Sequence, residues 1–162
     1  MEDINVSLFG LSHTFVRDVA ALLVGPGGQN VYLMADAGGG GVDGINLTFD
    51  QDASQSLPDC CGLSSGTYKP TDGNPFDVDS FPAPAPSGPW GTSLDAYTGL
   101  DPNGTWSLYI LDAIGGDVGA LSGGWSIEVT SAATAVPEPA SLALFGFSLA
   151  GLAFTRRRRQ SR

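Results

Sequence analysis

The sequence predicts an all-β fold, an antiparallel β-sandwich or jelly roll, followed by a single apolar transmembrane helix at the C-terminus. Three observations predict it. Short apolar segments alternate with polar residues at a period of two, the pattern of half-buried strands. Glycine and proline are abundant, 23 and 11 of the 162 residues, which favours strands joined by many turns over helices. Near the end the pattern changes, and an uncharged apolar run stops at a block of arginines.

The strands follow in order. Ile4, Val6 and Leu8 alternate with polar residues, while Val19 to Val24 is a continuous apolar run suited to a strand buried on both faces. Gly25-Pro26-Gly27-Gly28 forces a turn, and Asn30 to Met34 forms the next strand. The glycines from Gly38 to Gly41 interrupt, after which Ile45, Leu47 and Phe49 alternate again. Residues 51–89 read as an irregular insert rich in Pro, Ser, Asp and Gly, with Phe81-Pro82-Ala83-Pro84-Ala85-Pro86 as an extended piece. Strands resume at Trp106–Leu111, and Gly115 to Gly119 turns the chain into Trp125–Thr130. Six or so strands at this spacing point to a sandwich over residues 1–130. Gly104 and Gly116 stand where turns need positive φ. Trp106 and Trp125 are large apolar anchors for two packed sheets.

Charge narrows the function. Five of the seven basic residues, Arg156, Arg157, Arg158, Arg159 and Arg162, lie at the extreme C-terminus. From Met1 to Ala135 only Arg17 and Lys69 face sixteen acidic residues, a net charge of −14. Such a body repels phosphates, which excludes nucleic acid as a partner, and attracts divalent cations or basic groups. Cys60 and Cys61 are adjacent and cannot staple distant parts of a fold, because ordinary bridges span Cα atoms about 4.4–6.8 Å apart. Two thiols and one histidine are also too few for a zinc site. The pair reads as a loop feature.

Residues 140–155 carry no charge. As a helix they would extend about 24 Å, a little short of a hydrocarbon core of about 30 Å, and flanking residues or local thinning cover the difference. Arg156, Arg157, Arg158 and Arg159 follow at once, a stop-transfer pattern that leaves the arginines in the cytoplasm. Before the run, after a linker at 131–136, Pro137-Glu138-Pro139 holds the chain extended and accessible, as a processing enzyme requires. The three parts in this order resemble a PEP-CTERM sorting signal over residues 137–162. The resemblance implies recognition by an exosortase, a membrane-embedded cysteine transpeptidase-like enzyme, in a Gram-negative host that makes exopolysaccharide. Extracellular polysaccharide is the partner this context implies. The same kind of tail is sometimes labelled an ice-binding protein C-terminal segment. Ice binding needs flat arrays of regularly spaced threonines, and the body has none. Export also needs an N-terminal signal. Met1-Glu2-Asp3-Ile4-Asn5 is not one, so Met1 reads as an internal start with the true N-terminus upstream and the first strand region truncated.

The body resembles the P domain (P/Homo B) of subtilisin-like proprotein convertases over roughly Ile4 to Thr130. The matching elements are His13-Thr14-Phe15-Val16-Arg17-Asp18-Val19, Leu23-Val24-Gly25-Pro26-Gly27-Gly28 and Phe49-Asp50-Gln51-Asp52. Asp101 to Leu108, Leu111-Asp112 and Gly115 through Leu121 to Gly124-Trp125-Ser126-Ile127 complete them. The resemblance implies a β jelly roll, and with it an accessory or remnant domain of a secreted protease as an alternative to a stand-alone module. Structural calcium, which takes six to eight oxygen ligands, is the one cofactor expectation, with Asp18, Asp50, Asp52, Asp112 and Asp117 as candidate ligands. The competing reading is that these aspartates cap turns. Catalysis is not expected. His13 is the single imidazole, and no serine sits in a nucleophile motif.

Overall fold

A computed structural model of the chain describes residues 1–77 and 79–131. Nine strands form two sheets: β1 Asp3–His13, β2 Val19–Val24, β3 Asn30–Ala35, β4 Val42–Phe49, β5 Gly66–Tyr68, β6 Thr71–Asp72, β7 Ser107–Asp112, β8 Gly119–Leu121 and β9 Trp125–Thr130. Two 3-10 turns, Val16–Asp18 and Leu94–Tyr97, are the remaining regular pieces among the described residues. In the first sheet β1 is central. β4 lines one edge of it, with β5 beyond, and β9 and β8 share the other edge. The second sheet runs β6-β3-β2-β7.

The expected all-β class is what the chain forms, and each expected strand is present. The sheets are mixed, however, and not wholly antiparallel. β5 lies parallel to β4, and β6 parallel to β3. The reason is the long stretch after Phe49, which wanders before laying two short strands on the sheet edges. A tight hairpin would have forced antiparallel pairing, whereas a long connection permits the parallel sense. β1 also runs five residues beyond Leu8, to His13, through two register shifts. Gly10 sits at the first of them with φ +67°, and its N–H donates to Asn46 Oδ1 at 2.8 Å. Such bulges break the period-two pattern while keeping the strand paired.

The core lies between the sheets. Val6 and Leu8 of β1, Leu23 of β2, Leu33 of β3 and Leu47 and Phe49 of β4 are fully buried in it. Tyr97 closes one end, its hydroxyl donating to the Leu23 carbonyl at 2.9 Å and its ring 5.0 Å from Trp106. Trp106 and Trp125 do pack on this core, as expected, but each keeps part of its ring exposed. Gly104 and Gly116 have φ of +133° and +123°. A Cβ on Gly104 would stand 2.7 Å from Pro26 Cβ, so the turn needs glycine twice over.

β2 is buried on both faces, as its apolar run requires. Val19, Ala21 and Leu23 face the core, and Ala20 and Leu22 face outward. Outside, they join Tyr32 and Ala35 under a cover made by Phe81 of the proline-rich insert, by Trp90 directly after it and by Tyr109 and Leu111 of β7. Trp90 stands edge-on to Tyr32 at 4.9 Å and to Phe81 at 5.5 Å. The Tyr32 hydroxyl donates to Asp79 Oδ2 at 3.1 Å, and its backbone N–H to the Gly91 carbonyl at 2.9 Å. The insert is thus part of the fold.

The sandwich is closed along one side and open along the other. β5 and β6 are joined by Lys69 and Pro70, which brings the two outer edges together over buried Leu57, Leu63 and Tyr68. On the far side the edges are β7 in one sheet and β9 with β8 in the other. Their inward residues Leu108, Trp125, Ile127 and Val129 are half-buried, and Ile110 is 43% exposed.

The cover over β2 generates a prediction. Trp90→Ala should lower unfolding stability by about 2 kcal/mol through lost burial, measured by denaturant titration. Phe76→Ala, at a residue 95% exposed, should leave it unchanged. Equal effects would mean that the insert does not seal the sheet.

Candidate functional site

The fold gathers most of the singled-out polar residues at one end of the sandwich. There β1 ends at His13, the 3-10 turn ends at Asp18, β7 ends at Asp112 and the following turn carries Asp117. His13 is 5% exposed. Its Nδ1 faces the Phe15 backbone, 2.9 Å from the carbonyl and 3.2 Å from the N–H, and Nε2 lies 3.5 Å from Asp112 Oδ2. The ring is wedged against Gly119, where a Cβ would stand 2.2 Å from His13 Cδ2. No serine or cysteine among the described residues hydrogen-bonds either ring nitrogen, so the one imidazole is framed by backbone and by a carboxylate.

Thr14 ties the end together. Its hydroxyl donates to Asp117 Oδ1 at 2.6 Å and accepts from the Val118 N–H at 3.0 Å. Asp117 therefore acts as a turn anchor. Asp18 is 7% exposed, and the Ala113 N–H donates to its backbone carbonyl at 2.8 Å. Burial pushes the Asp18 carboxyl above the usual range, repulsion from Asp117 and Asp112 adds to this, and His13 opposes it.

Of the five aspartates expected to hold calcium, Asp18, Asp112 and Asp117 thus share one end. Asp50 and Asp52 do not join them. They sit in the turn leaving β4, where the Asp52 N–H donates to Asp50 Oδ1 at 2.7 Å and the Asp50 N–H to the Tyr68 carbonyl. This is the turn-capping role that short acidic side chains perform through their own backbone. Among the described residues no three His, Cys, Asp or Glu side chains converge as a metal site would require.

Cys60 and Cys61 are exposed and free. They lie on a loop where Arg17 reaches the Asp59 carbonyl and the Gly38 N–H donates to the Pro58 carbonyl at 2.6 Å. Cys61 has φ +73°. Sequence reasoning passed over Asp36, Asp77 and Asp79, which the fold brings to one cavity with Asp18. The density of acids at 72–79 was a signal, but only the topology shows which residues it faces.

The raised Asp18 value has a consequence for stability. A carboxyl whose folded pKa exceeds its unfolded value of about 3.9 binds its proton more tightly when folded. Its charged form costs stability at neutral pH, and the cost fades as pH falls through the folded value. Asp18→Asn should therefore raise the melting temperature at pH 7, with the gain shrinking toward zero near about pH 3. An equal gain at both pH values would show that charge is not its cause.

Pro137, Glu138, Pro139 and the four arginines Arg156 to Arg159 lie outside the described residues, as does the apolar segment 140–155 expected to be a transmembrane helix. Among the described residues no helix is long and apolar enough to cross a membrane. No curated protein and no solved structure matches the chain. Residues 135–159 match the PEP-CTERM protein-sorting motif, the mark of an exported protein whose signal is generally processed by exosortase.

Proposed function

We propose that the chain is a non-catalytic, exported surface or matrix module, delivered by its C-terminal signal. The sorting motif at 135–159 is the observation that carries this reading. In it, residues 140–155 hold the protein in the inner membrane and Arg156 to Arg159 stop transfer on the cytoplasmic side. Exosortase recognises Pro137-Glu138-Pro139 and cuts nearby. The body then passes to the envelope or the extracellular matrix, with exopolysaccharide as its expected surroundings. An acidic surface of −14 over Met1 to Ala135 suits a solvated extracellular domain.

The body is read as P domain-like. Its two-sheet fold and the positive-φ glycines at 104 and 116 agree with that reading. On it, the chain is either a stand-alone module or the accessory domain of a secreted subtilisin-like protease. Genomic sequence upstream of Met1 separates the two: a signal peptide favours the first, and a protease domain with Asp, His and Ser motifs favours the second.

The sorting step has a direct test. In a host carrying exosortase, mass spectrometry of the chain should find a C-terminus near Pro139. A strain lacking the enzyme, or a Pro137→Ala/Glu138→Ala variant, should leave the full-length chain in the membrane fraction. The same C-terminus in all three would overturn the reading.

A further inference from the structure

Cys60 and Cys61 stand on a loop whose backbone is pinned to the sandwich while its thiols are left in solvent. Leu57 before them and Leu63 after them are 4% and 6% exposed, and both belong to the core. Between these anchors the Pro58 carbonyl accepts from the Gly38 N–H at 2.6 Å, and the Asp59 carbonyl accepts from the Arg17 guanidinium. The turn at Cys61 lies so close on the segment after β3 that a Cβ on Gly39 would stand 3.2 Å from the Cys61 nitrogen. Both cysteines are nonetheless exposed and free.

Two observations single out the pair. The sulfurs are 2.9 Å apart, with one thiol donating to the other. Neighbouring side chains point to opposite faces of a strand and do not face each other on a helix, so ordinary backbone would part them. Cys61 instead takes φ +73°, a left-handed conformation that residues other than glycine, asparagine and aspartate seldom adopt. Strain of this kind persists only where the surrounding structure imposes it, and it clusters at functional positions. The pinned loop imposes it here, and its result is that two thiols meet.

We propose that Cys60 and Cys61 form a reversible thiol–disulfide exchange site, closing to a vicinal disulfide at the expense of an organic disulfide, RSSR. One cysteine loses its proton to solvent, and its thiolate attacks the S–S bond of the reagent. A mixed disulfide forms and one RS⁻ leaves. The neighbouring cysteine then loses its proton and attacks the cysteine sulfur of that mixed disulfide, expelling the second RS⁻. The two thiols are thereby oxidised, RSSR is reduced, and its two thiolates take up the two protons. A separation of 2.9 Å already matches the about 3–3.5 Å from which reacting atoms start, so the closing step is prepared by the fold.

Two opposing effects make the bond reversible. The Cys60 thiol is held above its ordinary range, first by its hydrogen bond to Cys61. The reduced pair therefore lacks the thiolate stabilisation that makes some disulfides strong oxidants. Against this, adjacent Cα atoms are about 3.8 Å apart, short of the about 4.4–6.8 Å of ordinary bridges, so the ring is strained and easily reduced. The chemistry is independent of the sorting signal, although export would deliver it to an oxidising compartment.

The test takes the full-length chain in detergent, reduced and then freed of reductant. It is exposed to glutathione disulfide and, separately, to oxidised protein disulfide isomerase. Remaining thiols are alkylated and the intact mass is read. The product should be a monomer lighter by two hydrogens, with no alkyl group and no bound glutathione, and dithiothreitol should restore both thiols. Cys60→Ser and Cys61→Ser should each keep one glutathione, the trapped mixed disulfide. Closure should be slower in concentrated urea, where the loop is no longer held. Closure with both reagents shows a site open to small disulfides, and closure with the isomerase alone shows one that needs a protein oxidant. Two free thiols after both reagents, glutathione on both cysteines, disulfide-linked dimers, or equally fast closure in urea would overturn the proposal.

Discussion

β2 has no polar side chain between Val19 and Val24, and the need to keep both its faces from water organises the rest of the molecule. The inward face is met by β1 and β4 of the opposite sheet, through Leu8, Leu47 and Phe49. The outward face has no second sheet, so an irregular segment must serve. The proline-rich insert and the two residues after it do this with Phe81 and Trp90, held down by the Tyr32 contacts to Asp79 and Gly91. Proline suits such a strap, since it limits the conformations lost on folding and asks for no ladder hydrogen bond.

The same strap carries acids. Its aromatic residues belong to the apolar cover, while Asp77 and Asp79 stand beside Asp36 at the end of β3 and Asp18 before β2. Holding the strap down therefore crowds like charges, and the raised Asp36 and Asp79 carboxyls record the cost.

Much of this was legible in the residues. The apolar run of β2, the alternation of Ile4-Val6-Leu8 and Ile45-Leu47-Phe49, and the glycine turns at 25–28 and 115–119 all mark real elements. The sorting motif was legible from three adjoining features of the tail. What escaped depended on distant pairing. β5, β6 and β8 are two or three residues long and gain their strand character from the neighbour they lie against. The extension of β1 escaped because a bulge at Gly10 hides its period. Among the candidate ligands, Asp18, Asp112 and Asp117 are neighbours although most of a hundred residues separate them, whereas Asp50 and Asp52, closest in sequence, satisfy each other's turn. Tyr97, which fills the end of the core, carried no local signal because it shares with buried Leu94 a 3-10 turn of four residues, too short to show a period.

The uneven closure of the sandwich bears on how copies of this protein behave at high density. The β7 and β9 edges present strand backbone beside half-covered apolar side chains, the kind of border along which sheets merge between molecules. A body charge of −14 opposes that merger, over a range set by a Debye length of about 8 Å at physiological ionic strength. Colloidal behaviour is thereby tied to the salt around the protein. In dilute medium the copies repel one another, and in brine or among polycations the same edges become adhesive.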